Sequence, residues 1–219
     1  MSCMNRLMSL ERQKMFVEIF GEIAKIFEQH NIQYWLSAGT CICAYRDGHL
    51  THEHDFDFGM FVEDVVRVRR LLPLIKKSIK GCEEINEFSY NGGKNVFQHS
   101  FKIVGNEIVK DDKVFLSQIY YHYEVGNYRV LLGETLPFSI PKYYFNSFKK
   151  IKFFSLNLDY SFYVPEKTEE YLEWFFGKDW RTPLVSYEYF NYQKQVLNGT
   201  QAPFPVNERR EEIMKFLED

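Results

Sequence analysis

At 219 residues the chain is long enough for one well-buried core, and it has one or two domains on length alone. Hydrophobic residues make up 45% and aromatic residues 18%, which excludes a disordered chain. The net charge of −3 gives no global basic field, so a nucleic-acid partner is disfavoured. The four cysteines, Cys3, Cys41, Cys43 and Cys82, show neither a CxxC pair nor the spacing of a disulfide framework. They are expected to be thiols in a reducing compartment. No apolar run approaches the length of a membrane span, and the N-terminus lacks a signal-peptide core. The expected location is the cytoplasm, at most at the inner membrane surface.

From Ser9 to His30 the apolar residues Phe16, Ile19, Phe20, Ile23, Ile26 and Phe27 recur at helical spacing. Ser9 reads as the N-cap, Glu11 lies in the first turn, and Asn31 reads as the stop. A first strand is expected over Tyr34 to Ala38, then a turn at Gly39-Thr40 and a short helix over Cys41 to Tyr45, ending at Arg46-Asp47-Gly48. A second strand is expected over Asp55 to Met60. Glu63-Asp64 opens a helix with Val65, Val68, Leu72, Ile75 and Ile79 on one face and Arg67, Arg69, Arg70, Lys76, Lys77 and Lys80 on the other. That charged face is either simply solvated or turned to a phosphate-rich or lipid-linked partner.

Glu84 to Tyr90 and Val96 to Val104 read as a hairpin about Asn91-Gly92-Gly93, and Gly105-Asn106 and Asp111-Asp112 as turns. Val114 to Val125 is an aromatic strand, turned by Gly126-Asn127 into Tyr128 to Leu132. A further strand is expected over Ile151 to Leu158, and a helix over Lys167 to Phe176 closed by Gly177. Val185 to Leu197 is weakly helical, and Asn207 caps a last helix over Glu208 to Leu217. Asn198-Gly199-Thr200 reads as a turn. With no repeat or linker, the chain is taken as one domain over 1–219, with its core over 10–165 and a helical part over 166–219.

Chemistry concentrates between Trp35 and Met60. Side chains alternate along a strand, so Asp55, Asp57 and Gly59 share one face while Phe56, Phe58 and Met60 enter a core. Two carboxylates one residue apart suit a hard divalent cation, Mg2+ or Mn2+. Gly39 lets backbone approach a ligand, and the Thr40 hydroxyl is a candidate partner for a phosphate oxygen. His52-Glu53-His54 invites zinc, but Phe56 and Asp57 stand where a HxHxDH hydrolase needs Asp and His. Strand alternation also separates His52 and His54 from Asp55 and Asp57.

Gly39-Thr40, Ala44, Arg46, Gly48, His52, Asp55 and Asp57 stand in the order of a known core motif. Gln118-Ile119-Tyr120 with Tyr123-Glu124 follows a second signature, and Val164-Pro165, Tyr171-Leu172, Gly177-Lys178-Asp179-Trp180 and Pro183 a third. In these the chain resembles the LicD/fukutin family of phosphotransferases. The resemblance implies an α+β nucleotidyltransferase-like fold, a mixed β-sheet flanked by helices. It implies transfer of a phospho-alcohol, such as phosphocholine or ribitol phosphate, from a CDP-linked donor to a glycan or lipid-linked glycan, with at most peripheral membrane contact. Asp55 and Asp57 would hold the metal, Gly39 and Thr40 would cradle phosphate, and Arg46 would be a further clamp. Gln118 stands where the family usually has a carboxylate, so His122 or Glu124 would substitute as base. The alternatives are a nucleotidyltransferase with another acceptor, or a donor-binding relative without chemistry.

Overall fold

The computed structural model describes residues 8–50, 55–90, 93–104, 114–131 and 138–183. The first helix, α1, spans Leu10–Gln29, and Ser9 caps it by accepting the Arg12 N–H at 3.3 Å. It ends where Asn31 turns left-handed (φ 54°), as a C-terminal cap does. Strand β1 (Tyr34–Leu36) leads into α2 (Ala38–Ile42), which continues without a break as a π-helical turn over Cys43–Asp47. Gly48, at φ 71°, stops that run.

The first strand is thus shorter than its apolar pattern suggests, and Gly39-Thr40 lies inside a helix instead of forming a turn. The cause is Ala38, held at φ 44°, which swings the chain from strand to helix two residues early. Strand β2 (Asp55–Phe61) follows, then a 3-10 turn over Val62–Asp64 and α3 (Val65–Ser78).

The hairpin is β3 (Cys82–Tyr90) with β4 (Asn95–Val104), and the aromatic strand is β5 (Val114–Val125). Next come β6 (Tyr128–Leu131) and β7 (Phe138–Pro141), the latter not foreseen from the sequence. The strand expected over 151–158 lies earlier, as β8 (Phe148–Ile151), and pairs with β9 (Phe162–Pro165). Residues 152–161 form no strand. Helix α4 (Thr168–Phe176) ends at Gly177, φ 87°. The turns at Gly105-Asn106 and Asp111-Asp112, the segment 185–197, Asn198-Gly199-Thr200 and the helix over 208–217 lie outside the described residues.

The main sheet runs β1-β2-β5-β4-β3, with β6 on β5 and β7 on β6. Among the described strands only β2 and β5 are parallel; the other pairs are antiparallel. This is an α+β fold with a mixed sheet. One face carries Phe56, Phe58, Met60, Ile119, Tyr121, Phe101 and Ile103, all at most 1% exposed. Phe20 of α1 stacks on Phe56 at 4.8 Å, and Phe27 meets Phe58 edge-on at 5.9 Å. Such pairs add about 0.5–1.5 kcal/mol each beyond area burial. Helix α3 covers the same face, where Arg69 holds Glu87 at 2.6 Å and Glu87 meets His99, itself bonded to Tyr121. The opposite face carries Asp55 and Asp57.

That face is closed at its far end. Trp35 pairs with Gly59 and packs against Phe145 at 4.6 Å and Phe148 at 5.7 Å. A Cβ at Gly59 would lie 2.3 Å from the indole, so the glycine makes room for a fully buried Trp35. Gly59→Ala is therefore expected to lower unfolding free energy by about 1–3 kcal/mol, as overpacking does. Urea denaturation checks this; an unchanged midpoint would show that Trp35 does not close the face.

Candidate active site

Asp55 and Asp57 stand on alternate positions of β2, Asp55 partly buried and Asp57 6% exposed. Asp57 is held through its own peptide. The Ser37 N–H donates to the Asp57 carbonyl at 3.0 Å, and the Asp57 N–H donates to Thr40 Oγ1 at 2.9 Å. The Ser37 carbonyl then accepts the Cys41 N–H at 3.1 Å, starting α2. The left-handed Ala38 costs on the order of 1–3 kcal/mol for a non-glycine residue, and these bonds offset it. The Tyr171 hydroxyl of α4 faces the same junction from the other side, beside Ser37, Ala38 and Trp35.

Thr40 is fully buried and spends its oxygen on Asp57, so it positions the carboxylate instead of presenting itself to phosphate. Arg46 is likewise committed. Its guanidinium grips Asp47 through Nε and Nη2 at 2.7 Å each and donates from Nη1 to the Trp180 carbonyl at 2.9 Å. It ties the distant Asp179-Trp180 signature to the helical run after Gly39 and is no phosphate clamp in this arrangement. Gly39 is buried at the start of α2.

Gln118 is brought to the site: it is the register partner of Asp57 on the parallel β5, with Ser100 of β4 on its other side. The Tyr120 hydroxyl donates to Gln118 Oε1, which leaves the amide N–H groups as its donors.

His122 and Glu124 are not brought there. At about 3.3 Å per residue they lie roughly 13 and 20 Å along β5 from Gln118. His122 is fully buried against Trp35 (4.9 Å) and Phe145 (5.7 Å), and neither ring nitrogen has a hydrogen-bond partner among the described residues. Burial, with a smaller push from Arg129, lowers its pKa to about 3. Glu124 lies at the surface, bonded to Lys142 at 3.1 Å and Arg129 at 2.9 Å, and these cations hold its pKa below the usual value. Neither fits the base role given to it from sequence. One is sealed in the core; the other is a stabilised anion remote from Asp57.

Among the described residues no three His, Cys, Asp or Glu side chains gather into a metal-binding group, and His52-Glu53-His54 lies outside those residues. Among the described residues of this strand face, the candidate donors are the Asp55 and Asp57 carboxylates. Two hard oxygen donors fit a magnesium-type ion, which typically takes one or two carboxylates and completes its shell with phosphate and water. Cys41 is a buried free thiol, its pKa raised by burial, and is inert.

A mixed sheet carrying paired carboxylates beside a strand-to-helix junction defines a nucleotidyltransferase-type domain. The chain belongs to the LicD/FKTN/FKRP family, whose nucleotidyltransferase-domain model matches residues 31–167. Ribitol-5-phosphate transferase FKTN of Mus musculus is 23% identical over 206 residues, covering 91% of this chain and 40% of that protein. The Homo sapiens protein of the same name is 25% identical over 220 residues, covering 97% and 42%. The chain thus spans about two fifths of these relatives' length. The lincomycin-bound crystal structure of the lincosamide antibiotic adenylyltransferase LnuA aligns over 82% of this chain and 96% of its own, at TM-score 0.43 and 11% identity.

Thr40→Val leaves the buried Asp57 N–H without an acceptor and is expected to cost about 1–3 kcal/mol of stability, while Thr40→Ser keeps most of it. Equal urea midpoints for the two variants would refute the positioning role. The histidine gives a second expectation. The unfolded chain takes a proton at His122 near 6.5, and the folded one refuses it until about 3. Stability is therefore fully present above pH 6.5 and is lost as pH falls through that window. His122→Phe is expected to flatten the acid limb, leaving the part due to His99, which burial also lowers. Unfolding free energies measured from pH 7 to pH 4 check it; parallel curves for wild type and variant would count against the assignment.

Proposed function

We propose that the chain is a metal-dependent transferase that moves a phospho-alcohol, ribitol phosphate or a relative of it, from a CDP-linked donor to a glycan hydroxyl. What supports the reading most is the Asp55/Asp57 pair, its Asp57 member locked by Ser37 and Thr40, within the segment that matches the family model. Asp55 and Asp57 hold Mg2+ or Mn2+, which when bound neutralises charge on the donor diphosphate. The acceptor oxygen forms a bond to the phosphorus of the phospho-alcohol as its O–H bond breaks, the proton passing to a phosphate oxygen of the donor or to water; the diphosphate bridge breaks, and CMP leaves. Gln118, with its N–H groups available, orients the donor phosphate or the acceptor oxygen. An amide is too weak a base to take the hydroxyl proton, and neither His122 nor Glu124 is placed to do so. The Gly39 backbone at the α2 start is the remaining candidate for a phosphate contact.

The second reading is a nucleotidyltransferase that leaves the whole nucleotide monophosphate on its acceptor, as the description of the family domain allows. The third is a donor-binding relative without turnover, for which Gln118 speaks. Incubation with CDP-ribitol or CDP-choline, magnesium and a glycan acceptor, followed by mass analysis, separates them. Release of CMP with a phospho-alcohol on the glycan is expected. A glycan carrying CMP would favour the second reading. Donor binding without product, with activity switched on by Gln118→Asp, would favour the third. Asp55→Asn and Asp57→Asn are each expected to lower the rate about 10³-fold, the several kcal/mol a bound ion contributes. Their stability should stay within about 1 kcal/mol of wild type. Near-normal rates in either variant would overturn the site.

A further inference from the structure

We propose that the solvent face of α3 docks on an anionic lipid surface. Between Val65 and Lys80 the chain carries six cations and no carboxylate, within a protein of net charge −3. Two of the six are used internally. Arg67 pairs with Asp64 at 2.5 Å and donates to the carbonyls of His30 and Asn31, and Arg69 grips Glu87. Arg70, Lys76, Lys77 and Lys80 are exposed and make no ion pair with any described residue. The carboxylates around the helix are largely paired: Glu63 with Arg129, Asp64 with Arg67 and Glu87 with Arg69, while Glu83 and Glu84 share Lys102 at 3.7 and 3.6 Å and keep one net negative charge against the four unpaired cations.

The stripe opposite the buried Val68, Leu71 and Ile75 runs Val66, Arg70, Leu74 and Lys77, at steps of four, four and three residues, with Pro73 beside it. Val66 is 54% exposed and Leu74 40%, so aliphatic and cationic side chains alternate along one outward line. That mixture discriminates between partners. A soluble polyanion rewards the cations alone. A bilayer rewards both, cations at the headgroups and aliphatic groups at the acyl boundary. Among the described residues no helix is long and apolar enough to cross a membrane, so contact through this stripe would be peripheral. Because α3 lies behind the sheet, docking leaves Asp55 and Asp57 facing away from the bilayer.

The test is flotation of the full chain with phosphatidylcholine vesicles, with and without phosphatidylserine. Binding is expected only with phosphatidylserine and is expected to weaken with added salt. Each cation near such a surface is worth roughly five-fold in partitioning, so Arg70→Glu/Lys77→Glu should cost at least about 25-fold. Val66→Ser/Leu74→Ser, which changes no charge, should also weaken binding while leaving its salt dependence intact. All four positions are exposed, and thermal melts confirm that the variants fold. No binding, equal binding to both vesicles, or variants that bind like wild type would overturn the proposal. Retention on heparin competing with the vesicles, with Val66→Ser/Leu74→Ser unaffected, would identify a polyanion site and overturn it too. Neither outcome bears on the transferase reading, which rests on the opposite face.

Discussion

The peptide of Asp57 is the point from which the candidate site hangs. Its carbonyl takes the Ser37 N–H and its N–H goes to the Thr40 hydroxyl, so one residue of β2 grips the end of β1 and the start of α2 together. These bonds fix the chain on both sides of the left-handed Ala38, where α2 begins. With them, a carboxylate stands on a strand whose other neighbour, β5, delivers Gln118 in register. Precision here comes from backbone, which is stiffer than any surface side chain.

The period of two along β2 carries the second constraint. Phe56 and Phe58 bury completely under Phe20 and Phe27, and burying each is worth about 1.5–3 kcal/mol. A slip by one residue would turn those rings to solvent and the carboxylates into the core. The same aromatic packing that stabilises the sheet therefore fixes which way Asp55 and Asp57 point. On their own face the room is limited by Trp35, which fits only because residue 59 has no side chain.

Much of this was legible in the sequence. The α1 stripe with its Ser9 cap, the alternation of β2, the β3–β4 hairpin and the stop at Gly177 follow from local periodicity and capping, and these local rules held. What failed was non-local. Thr40 and Arg46 are polar residues in a motif that reads as ligand-binding, and only the folded chain shows their partners, Asp57 and Trp180. His122 and Glu124 share a strand face with Gln118 by period, but period alone does not say that Trp35 and Phe145 close over that face. Gly59 was the available signal: a glycine inside a strand marks a close approach, here by the indole. The strand expected over 151–158 was misplaced because its apolar residues pack as irregular chain, Phe153 and Leu156 buried without pairing.

The link from Arg46 to the Trp180 carbonyl spans 134 positions, and Tyr171 reaches the same junction from α4. On a ribosome, residues 35–57 emerge well before β5 and the segment around Trp180 that complete their surroundings. The strand carrying Asp55 and Asp57 can pack its aromatic face on α1 at once, but its β5 edge stays unpaired while more than half of the described chain is still being made. Such long-range closure slows folding. Until β5 is made, the hydrogen-bonding edge of β2 that later pairs with it stays open.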